Sequence, residues 1–290
     1  MINKKGKSFY FCWVFFITFV IFLYGPTFTI VLLSFQGPEG GLTFPMNGLS
    51  FHWFQKLWEG GGYVDIGSAF RRSIVLGIIL MILTVVLSVA AGMAFRKRFF
   101  GSDFLFFLTI SSLIVPSIIL SLGVALEFRL IDESIKFIGN KYNLSWIIND
   151  FQTTLNMFSS GLGAQLTWTL PFGLLIMFAI FNRFDKSYEE ASRDLGATSW
   201  QTFKYIVLPI IAPSVIGIAL FGFTLSYDEL ARSSQVMGAT NTLPLELKGL
   251  TTTVTTPVIY ALGTLTTGIS FLVIFVAICS FFIIKRKKVR

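Results

Sequence analysis

Long runs without a charged residue constrain the fold of this chain more than any other feature. Residues 9–35, 73–95 and 104–126 contain no Asp, Glu, Lys or Arg. A helix needs about 20 apolar residues to cross the hydrocarbon core of a bilayer. Since backbone polar groups in lipid must be paired within the protein, such runs are expected to be helical. The sequence therefore predicts an all-α integral membrane protein.

Six segments meet or approach this length. Composition agrees, because 13% of the residues are charged, whereas about 25% are charged in soluble domains. The first segment is longer than the apolar core of a signal peptide and is interpreted as a retained span. We expect one transmembrane domain over residues 1–290, with spans at about residues 9–35, 73–95, 104–126, 162–181, 209–227 and 258–284.

The positions of Lys and Arg predict the orientation in the membrane. If the amino terminus is cytoplasmic, most of the 23 Lys and Arg residues lie on the inner side, as the positive-inside rule requires. Both termini are then expected to be cytoplasmic, and the chain to be a multi-pass membrane protein. Topology thus accounts for the net charge of +8, which gives no support to nucleic-acid binding. The basic tail from Lys285 could also bind anionic membrane lipid.

A polar stretch, residues 185–209, separates two of the apolar runs. Its periodicity predicts two short helices, with Ser187 and Ser199 as their N-caps. Gly196 stands between them and is predicted to adopt the left-handed conformation that ends the first helix. The predicted orientation places this helix, turn and helix in the cytoplasm.

The second of these short helices is predicted to present aromatic side chains. Trp200 and Phe203 are three residues apart and therefore share a face of the helix. From the pattern alone, an interfacial hairpin that rests these rings among lipid headgroups stays an alternative.

A particular spacing of residues also runs through the polar stretch, formed by Glu190, Ala191, Ser192, Gly196, Ile206, Leu208 and Pro209. This pattern resembles the EAA loop of permease subunits of ATP-binding-cassette (ABC) importers. The resemblance implies the type I importer permease fold, with six transmembrane helices and a cytoplasmic coupling helix between spans 4 and 5. The residues it implies for coupling to an ATPase are Glu189, Glu190, Ala191, Gly196, Trp200, Phe203, Leu208 and Pro209.

The resemblance further implies a bacterial cytoplasmic (inner) membrane as the location of the chain, and it implies the partners of the chain. These are a second, related permease subunit, two ATP-binding subunits inside the cell and a substrate-binding protein outside. ATP and Mg²⁺ would be bound by the ATPase subunits, so this chain is expected to hold no cofactor and not to be an enzyme. The residues agree: Gly6, Lys7 and Ser8 mimic the end of a phosphate-binding loop, but Met1 stands where that motif requires a glycine.

Two adjacent carboxylates follow the fifth predicted span. Asp228 and Glu229 stand next to Tyr227, and this set could hold an organic cation through ion pairing and a cation–π contact. Equally, the carboxylates could be an interfacial helix end that pairs with Arg232. The spacing alone leaves both interpretations open.

A second resemblance concerns the substrate. Residues 225–229, 242–245 and 261–265 resemble the carboxy-terminal third of permeases for spermidine and putrescine, which implies polyamine transport. An importer of the same class for iron, thiamine or an anion is an alternative. A secondary carrier is a further one, although such carriers usually show broken spans repeated in two halves.

Overall fold

The computed structural model describes residues 7–59, 66–97, 99–253 and 256–288. Of the Lys and Arg residues that the predicted orientation places on the inner side, Lys4, Lys5, Arg98 and Arg290 lie outside these residues. Within them the fold is all-helical, as predicted, with an isolated bridge between Gln36 and Leu49. The helices are α1 (Lys7–Leu33), α2 (His52–Trp58), α3 (Ile66–Phe95), α4 (Ser102–Ser111), α5 (Ser117–Lys141), α6 (Ser145–Asp150), α7 (Leu162–Phe181), α8 (Ser187–Asp194), α9 (Ser199–Thr202), α10 (Leu208–Tyr227), α11 (Leu243–Thr253) and α12 (Val258–Lys288).

Two π-helical turns extend α7 and α10 at their amino-terminal ends. Met157–Gly161 leads into α7, and Phe203–Val207 joins α9 to α10. Within the described residues, four continuous helical stretches are long and apolar enough to cross a membrane, and they match the first, second, fourth and fifth predicted spans. They are Ser8–Leu33, Ile66–Phe95, Met157–Phe181 and Ser199–Tyr227.

The second and sixth predicted spans differ from their helices in length. Helix α3 begins at Ile66 rather than residue 73 and therefore includes Arg72. The donors of this charged side chain are paired: Nη1 donates to Ser68 Oγ and Nε to the carbonyl of Asn241, both at 2.8 Å. The sixth span corresponds to α12, whose described apolar part, Val258–Val273, is shorter than a full crossing.

The third predicted span, residues 104–126, is wrong as a single helix. Helix α4 ends at Ser111, and α5 begins only after Pro116, whose backbone is extended with φ −55° and ψ 130°. Proline disfavours a helical conformation of the residue before it. The carbonyl of Ser112 has no helical partner, because Pro116, four residues later, has no N–H. It accepts a hydrogen bond from Arg232 at 2.9 Å instead. The apolar run is therefore a short helix, a break and a long helix.

By its contacts the chain forms two compact units. One comprises Met1–Ile66 and Leu247–Leu272, and the other comprises Gly67–Glu246 and Val273–Arg290. The single domain over the whole chain stays a prediction. The residues of the polar stretch and the acidic pair all belong to the second unit, so this unit contains the candidate site.

In the first unit, a buried glutamine organises the loop after α1. Gln36 is fully buried, and its side chain donates to the carbonyl of Gly41 at 3.1 Å and accepts from the backbone of Asn47 at 2.9 Å. The hydroxyl of Tyr260 donates to the carbonyl of Leu42 in the same loop. These bonds pair the polar groups of an irregular segment, which then leads into α2.

In the second unit, α3, α7 and α10 pack closely against one another. Gly173 of α7 allows the closest approach, since a Cβ there would lie 2.1 Å from Ser88 Oγ of α3. Nearby, Thr84 donates to Thr169 across the same helix pair at 2.7 Å. The buried apolar core between the three helices consists of Val89, Met177, Phe181, Val207, Ile211 and Ile218.

A buried carboxylate ties the segment after α6 to α5. Asp132 accepts hydrogen bonds from the hydroxyl of Thr153 at 2.6 Å and from the backbone of Thr154 at 2.7 Å. Burial alone would raise the pKa of Asp132, but these hydrogen bonds outweigh it and the pKa is lowered. The carboxylate therefore stays charged and fixes the approach to α7.

Candidate coupling surface and acidic turn

The polar stretch folds as a helix, a sharp turn and a helix, as predicted. Gly196 ends α8 with φ +85°, the left-handed conformation that glycine adopts without steric cost. The caps differ from those predicted by one or two residues. Thr198, rather than Ser199, caps α9 in a capping box with Gln201. Asp185, rather than Ser187, supplies the side chain that accepts the Ser187 backbone N–H, at 2.9 Å.

An ion pair attaches this stretch to the end of α3. Arg96 Nη1 and Nη2 donate to the two carboxylate oxygens of Glu189 at 2.6 and 2.9 Å. The guanidinium also lies over the rings of Phe181 and Phe184, at 5.0 and 5.1 Å from their centroids. The hydrogen bond from Arg96, more than its charge, lowers the pKa of Glu189. Glu189, predicted to act in coupling, is therefore bound within the chain.

Further contacts join the two short helices and continue into the membrane. The hydroxyls of Ser192 and Thr202 are hydrogen-bonded at 3.0 Å and buried between α8 and α9. Phe203 packs against the core between α3, α7 and α10. Leu208 and Pro209 then form the first turn of α10, directly after the π-helical turn Phe203–Val207. The turn at Gly196 is thus joined without interruption to the fifth span.

The outer face of the stretch is apolar and uncovered within this chain. Leu195 is 89% exposed and Trp200 68% exposed, and the Trp200 ring stacks on Phe203 at 5.6 Å between centroids. Glu190 and Ala191 are also exposed. Of the two predicted aromatic residues, Trp200 therefore lies on the surface, whereas Phe203 braces it from beneath. We call Leu195 and Trp200 the apolar tip.

A cleft of about 350 Å³ lies beside the apolar tip. Three of the predicted coupling residues, Glu189, Glu190 and Phe203, line it, but the surrounding charge is mostly positive. Its charged lining residues are Arg96, Lys97, Lys186, Glu189, Glu190 and Arg193. After Glu189 has neutralised Arg96, three cations face one carboxylate, so the cleft attracts acidic groups.

The acidic pair lies at the opposite end of α10, about 30 Å along the helix by its length of 20 residues. Tyr227 is buried and stacks on Phe223 at 5.7 Å between centroids, with its hydroxyl unpaired among the described residues. Asp228 ends the helix and is exposed. Glu229 accepts the backbone N–H of Arg232 at 2.8 Å. The structure thus brings the three predicted pathway residues to one turn, with Asp228 open to solvent.

The side chain of Arg232 does not form the predicted pair with these carboxylates. It is fully buried and directed instead at the break between α4 and α5 and at α7. Sequence analysis missed this contact, and it missed the role of Arg96, because the partners are between 65 and 120 residues away in the chain. The local pattern offers no signal for either.

Three comparisons with known proteins bear on this geometry. The model of a family described as "Binding-protein-dependent transport system inner membrane component" matches residues 84–287. The spermidine/putrescine transport system permease protein PotC of Haemophilus influenzae is 26% identical over 245 residues, covering 84% of this chain and 86% of that protein. The putrescine transport system permease protein PotI of Escherichia coli is 28% identical, covering 88% of this chain and 85% of that protein. The two relatives therefore align with this chain over most of its length.

Proposed function

The chain belongs to the family of inner membrane components of binding-protein-dependent transport systems, and from this premise we propose that it carries polyamines into the cell. It is a multi-pass inner-membrane permease subunit of an ABC importer, a transport protein rather than an enzyme. In the proposal it forms half of a translocation pathway with a second, related permease subunit. Two separate ATPase subunits drive transport from the cytoplasm, where both termini lie, and a substrate-binding protein delivers the solute from outside.

The apolar tip supports the ATPase contact. Leu195 and Trp200 are large apolar side chains held out from the chain on a rigid support, which the Glu189–Arg96 pair and the Ser192–Thr202 bond brace. Exposed apolar side chains in such a position are typical of a docking surface. Glu190 lies beside the tip and is free to interact electrostatically with a docked subunit. ATP and Mg²⁺ would bind to that subunit.

Similarity to the two permeases carries the substrate assignment. Each is named for transport of putrescine, or of spermidine and putrescine, and each aligns over more than four fifths of this chain. The acidic turn supports it, because the exposed carboxylate of Asp228 can pair with an alkylammonium group. Tyr227 contributes less than an open ring would, since Phe223 covers one of its faces.

The proposed mechanism is alternating access. ATP binding closes the ATPase dimer and brings the docked tips of the two permease subunits together. Because the tip is joined to α10 without interruption, its movement reorients the fifth span and opens the pathway to the outside. ATP hydrolysis reverses the change and exposes the solute to the cytoplasm.

Uptake of labelled spermidine and putrescine tests this function. The assay uses vesicles that contain this chain with the ATPase, second permease and binding protein encoded beside it, with and without ATP. We expect ATP-dependent accumulation of polyamine. ATP hydrolysis that responds to the binding protein without polyamine uptake would reject the substrate and leave iron, thiamine or an anion as candidates. Uptake without an ATPase would instead indicate a secondary carrier.

Amide variants test the acidic turn separately. Asp228→Asn and Glu229→Gln remove a charge but keep an oxygen that can accept a hydrogen bond, including the one from Arg232. We expect each to lower the apparent affinity for polyamine by about 10-fold, the effect of losing one charged hydrogen bond. Glu133→Gln, which removes an exposed charge from α5, is the control. Equal affinities in all three variants would exclude a cation site at this turn.

A further inference from the structure

Arg232 is the largest side chain that is completely buried in the described part of the protein. Its guanidinium donates to three oxygens: Nε to Ser117 Oγ at 3.3 Å, Nη2 to the carbonyl of Ser112 at 2.9 Å, and Nη1 to Thr167 Oγ1. The guanidinium carbon, Cζ, lies over the ring of Trp168, 4.8 Å from the centroid. One side chain thus contacts the two sides of the α4–α5 break and helix α7.

Burial of this charge costs desolvation free energy. A buried charge is normally paired with an opposite charge, yet no carboxylate of the described residues forms an ion pair with Arg232. A neutral side chain of similar size would fill the same space at lower cost in desolvation. What a guanidinium adds is its planar set of donors, which reaches several acceptors in one fixed geometry.

The backbone of the same segment is also fastened to the helices. Ser121 Oγ of α5 donates to the carbonyl of Arg232 at 2.8 Å, and Ser160 Oγ donates to the carbonyl of Val236 at 2.6 Å. Gln165 of α7 donates to the hydroxyl of Ser233, which is fully buried like Val236. The segment after α10 therefore lies within the helices rather than over them, and its attachment begins at the acidic turn.

We propose that Arg232 is a positioning residue for transport, which fixes the acidic turn of Asp228 and Glu229 to the break between α4 and α5. Glu229 accepts the Arg232 backbone N–H, so the turn and the anchored side chain move together. The residue four positions after Ser112 is Pro116, which has no N–H to donate to the Ser112 carbonyl, so Arg232 supplies the donor that the proline lacks. This inference rests on the proposed function only in taking the acidic turn to be where solute is bound.

The test combines a structural readout with a kinetic one. Arg232→Met keeps an unbranched side chain but removes its donors, while Arg232→Lys keeps the charge but loses the planar geometry. Val236→Cys, in a chain with Cys12→Ser and Cys279→Ser, reports whether the segment stays docked. Both readouts use the full importer complex in vesicles, with a maleimide reagent for the cysteine and labelled solute for transport.

We expect Arg232→Met to increase the rate of Val236→Cys labelling by about 10-fold and to raise the apparent KM for solute about as much, the effect of losing one charged hydrogen bond. The maximal rate of uptake should change less, and Arg232→Lys should restore part of the KM. If Arg232→Met does not reach the membrane, Ser117→Ala, which removes one of the three acceptors, should give the same pattern at smaller size.

Two results would overturn the inference. Unchanged labelling would show that the segment does not depend on Arg232. Increased labelling with an unchanged KM and a lower maximal rate would show that the residue supports the fold without positioning the turn. A complex that carries a solute other than polyamine would refute the proposed substrate, but labelling and the KM for that solute would still decide the role of Arg232.

Discussion

At Gly196 the backbone itself determines which side chains are allowed. Its φ of +85° strains any residue with a Cβ, although a Cβ built there would meet no other atom within 4 Å. The cost of a substitution is therefore conformational, about 1 to 2 kcal/mol for most residues and more for a β-branched one. Asn accepts this conformation more readily than other residues do.

We therefore expect Gly196→Val to reach the membrane but to uncouple ATP hydrolysis from uptake. Gly196→Asn should keep most of the uptake and most of its coupling to ATP hydrolysis. Solute uptake and ATPase activity measured on the same vesicles test this. Normal uptake by Gly196→Val would show that the turn is not needed for coupling.

The ion pair between Arg96 and Glu189 has a defined pH dependence. Because the folded chain lowers the pKa of Glu189 below its ordinary value of 4.5, the carboxylate stabilises the fold above that pH. This contribution is lost as the pH falls through the lowered pKa. It should be fully present at pH 7.

We expect Arg96→Met to lower the Tm of the detergent-solubilised chain at pH 7 by about 2 to 4 °C for each kcal/mol lost. The difference from wild type should shrink below pH 4.5, where Glu189 of the unfolded chain begins to be protonated, and should vanish as the pH falls through the lowered pKa of the folded chain. The exchanged pair, Arg96→Glu with Glu189→Arg, should recover part of the Tm. A difference that stays constant with pH would mean that Arg96 acts through its ring contacts alone.

The sequence predicted those residues whose roles depend on their neighbours along the chain, and it did not predict those whose partners lie far away in the chain. The need for glycine at position 196 arises within one turn of chain and was predicted. The caps were displaced because neighbouring side chains compete: Thr198 stands next to Ser199, and Asp185 near Ser187. The partnership of Glu189 with Arg96 joins residues 93 positions apart, and nothing in the local pattern distinguishes Arg96 from the cations beside it.

The close packing of α3 against α7 requires a residue without a side chain at position 173. A Cβ at Gly173 would lie 2.1 Å from Ser88 Oγ, whereas a Cβ at Gly163, on the same helix, would meet nothing within 4 Å. Gly173→Ala should therefore destabilise the chain by about 1 to 3 kcal/mol, as overpacking does. Gly163→Ala should be neutral or slightly stabilising, because alanine favours a helix.

The matched pair is tested by the thermal stability and membrane yield of the two variants. Equal values would mean that Ser88 rotates away and that the contact is not tight. A loss in Gly163→Ala alone would point to a surface that another subunit covers.

The third apolar run shows why helix lengths could not be read from composition. None of its residues is charged, and Pro116 stands within it. Whether a proline bends or ends a helix depends on what else can pair the released carbonyls. Here Arg232, from far along the chain, binds the carbonyl of Ser112, and the helix ends.

The orientation of the whole chain in the membrane remains a prediction from its Lys and Arg residues. It can be measured with single cysteines at two highly exposed positions, Leu195→Cys and Trp58→Cys, after Cys12 and Cys279 are changed to Ser. In intact cells a membrane-impermeant thiol reagent should label Trp58→Cys and leave Leu195→Cys unlabelled. Inside-out vesicles should show the reverse, and labelling of both positions from one side would refute the topology.

The uninterrupted run from Ser199 to Tyr227 has a mechanical consequence. Its 29 residues form a continuous helix roughly 40 Å long, with the apolar tip at one end and the acidic turn at the other. If the apolar tip contacts an ATPase subunit as proposed, a tilt of about 10° at that end would displace the far end by roughly 7 Å. The π-helical turn at Phe203–Val207 is the place where this helix can absorb torsion. The stiffness of the helix would then set how much of the movement at the apolar tip is transmitted to the acidic turn.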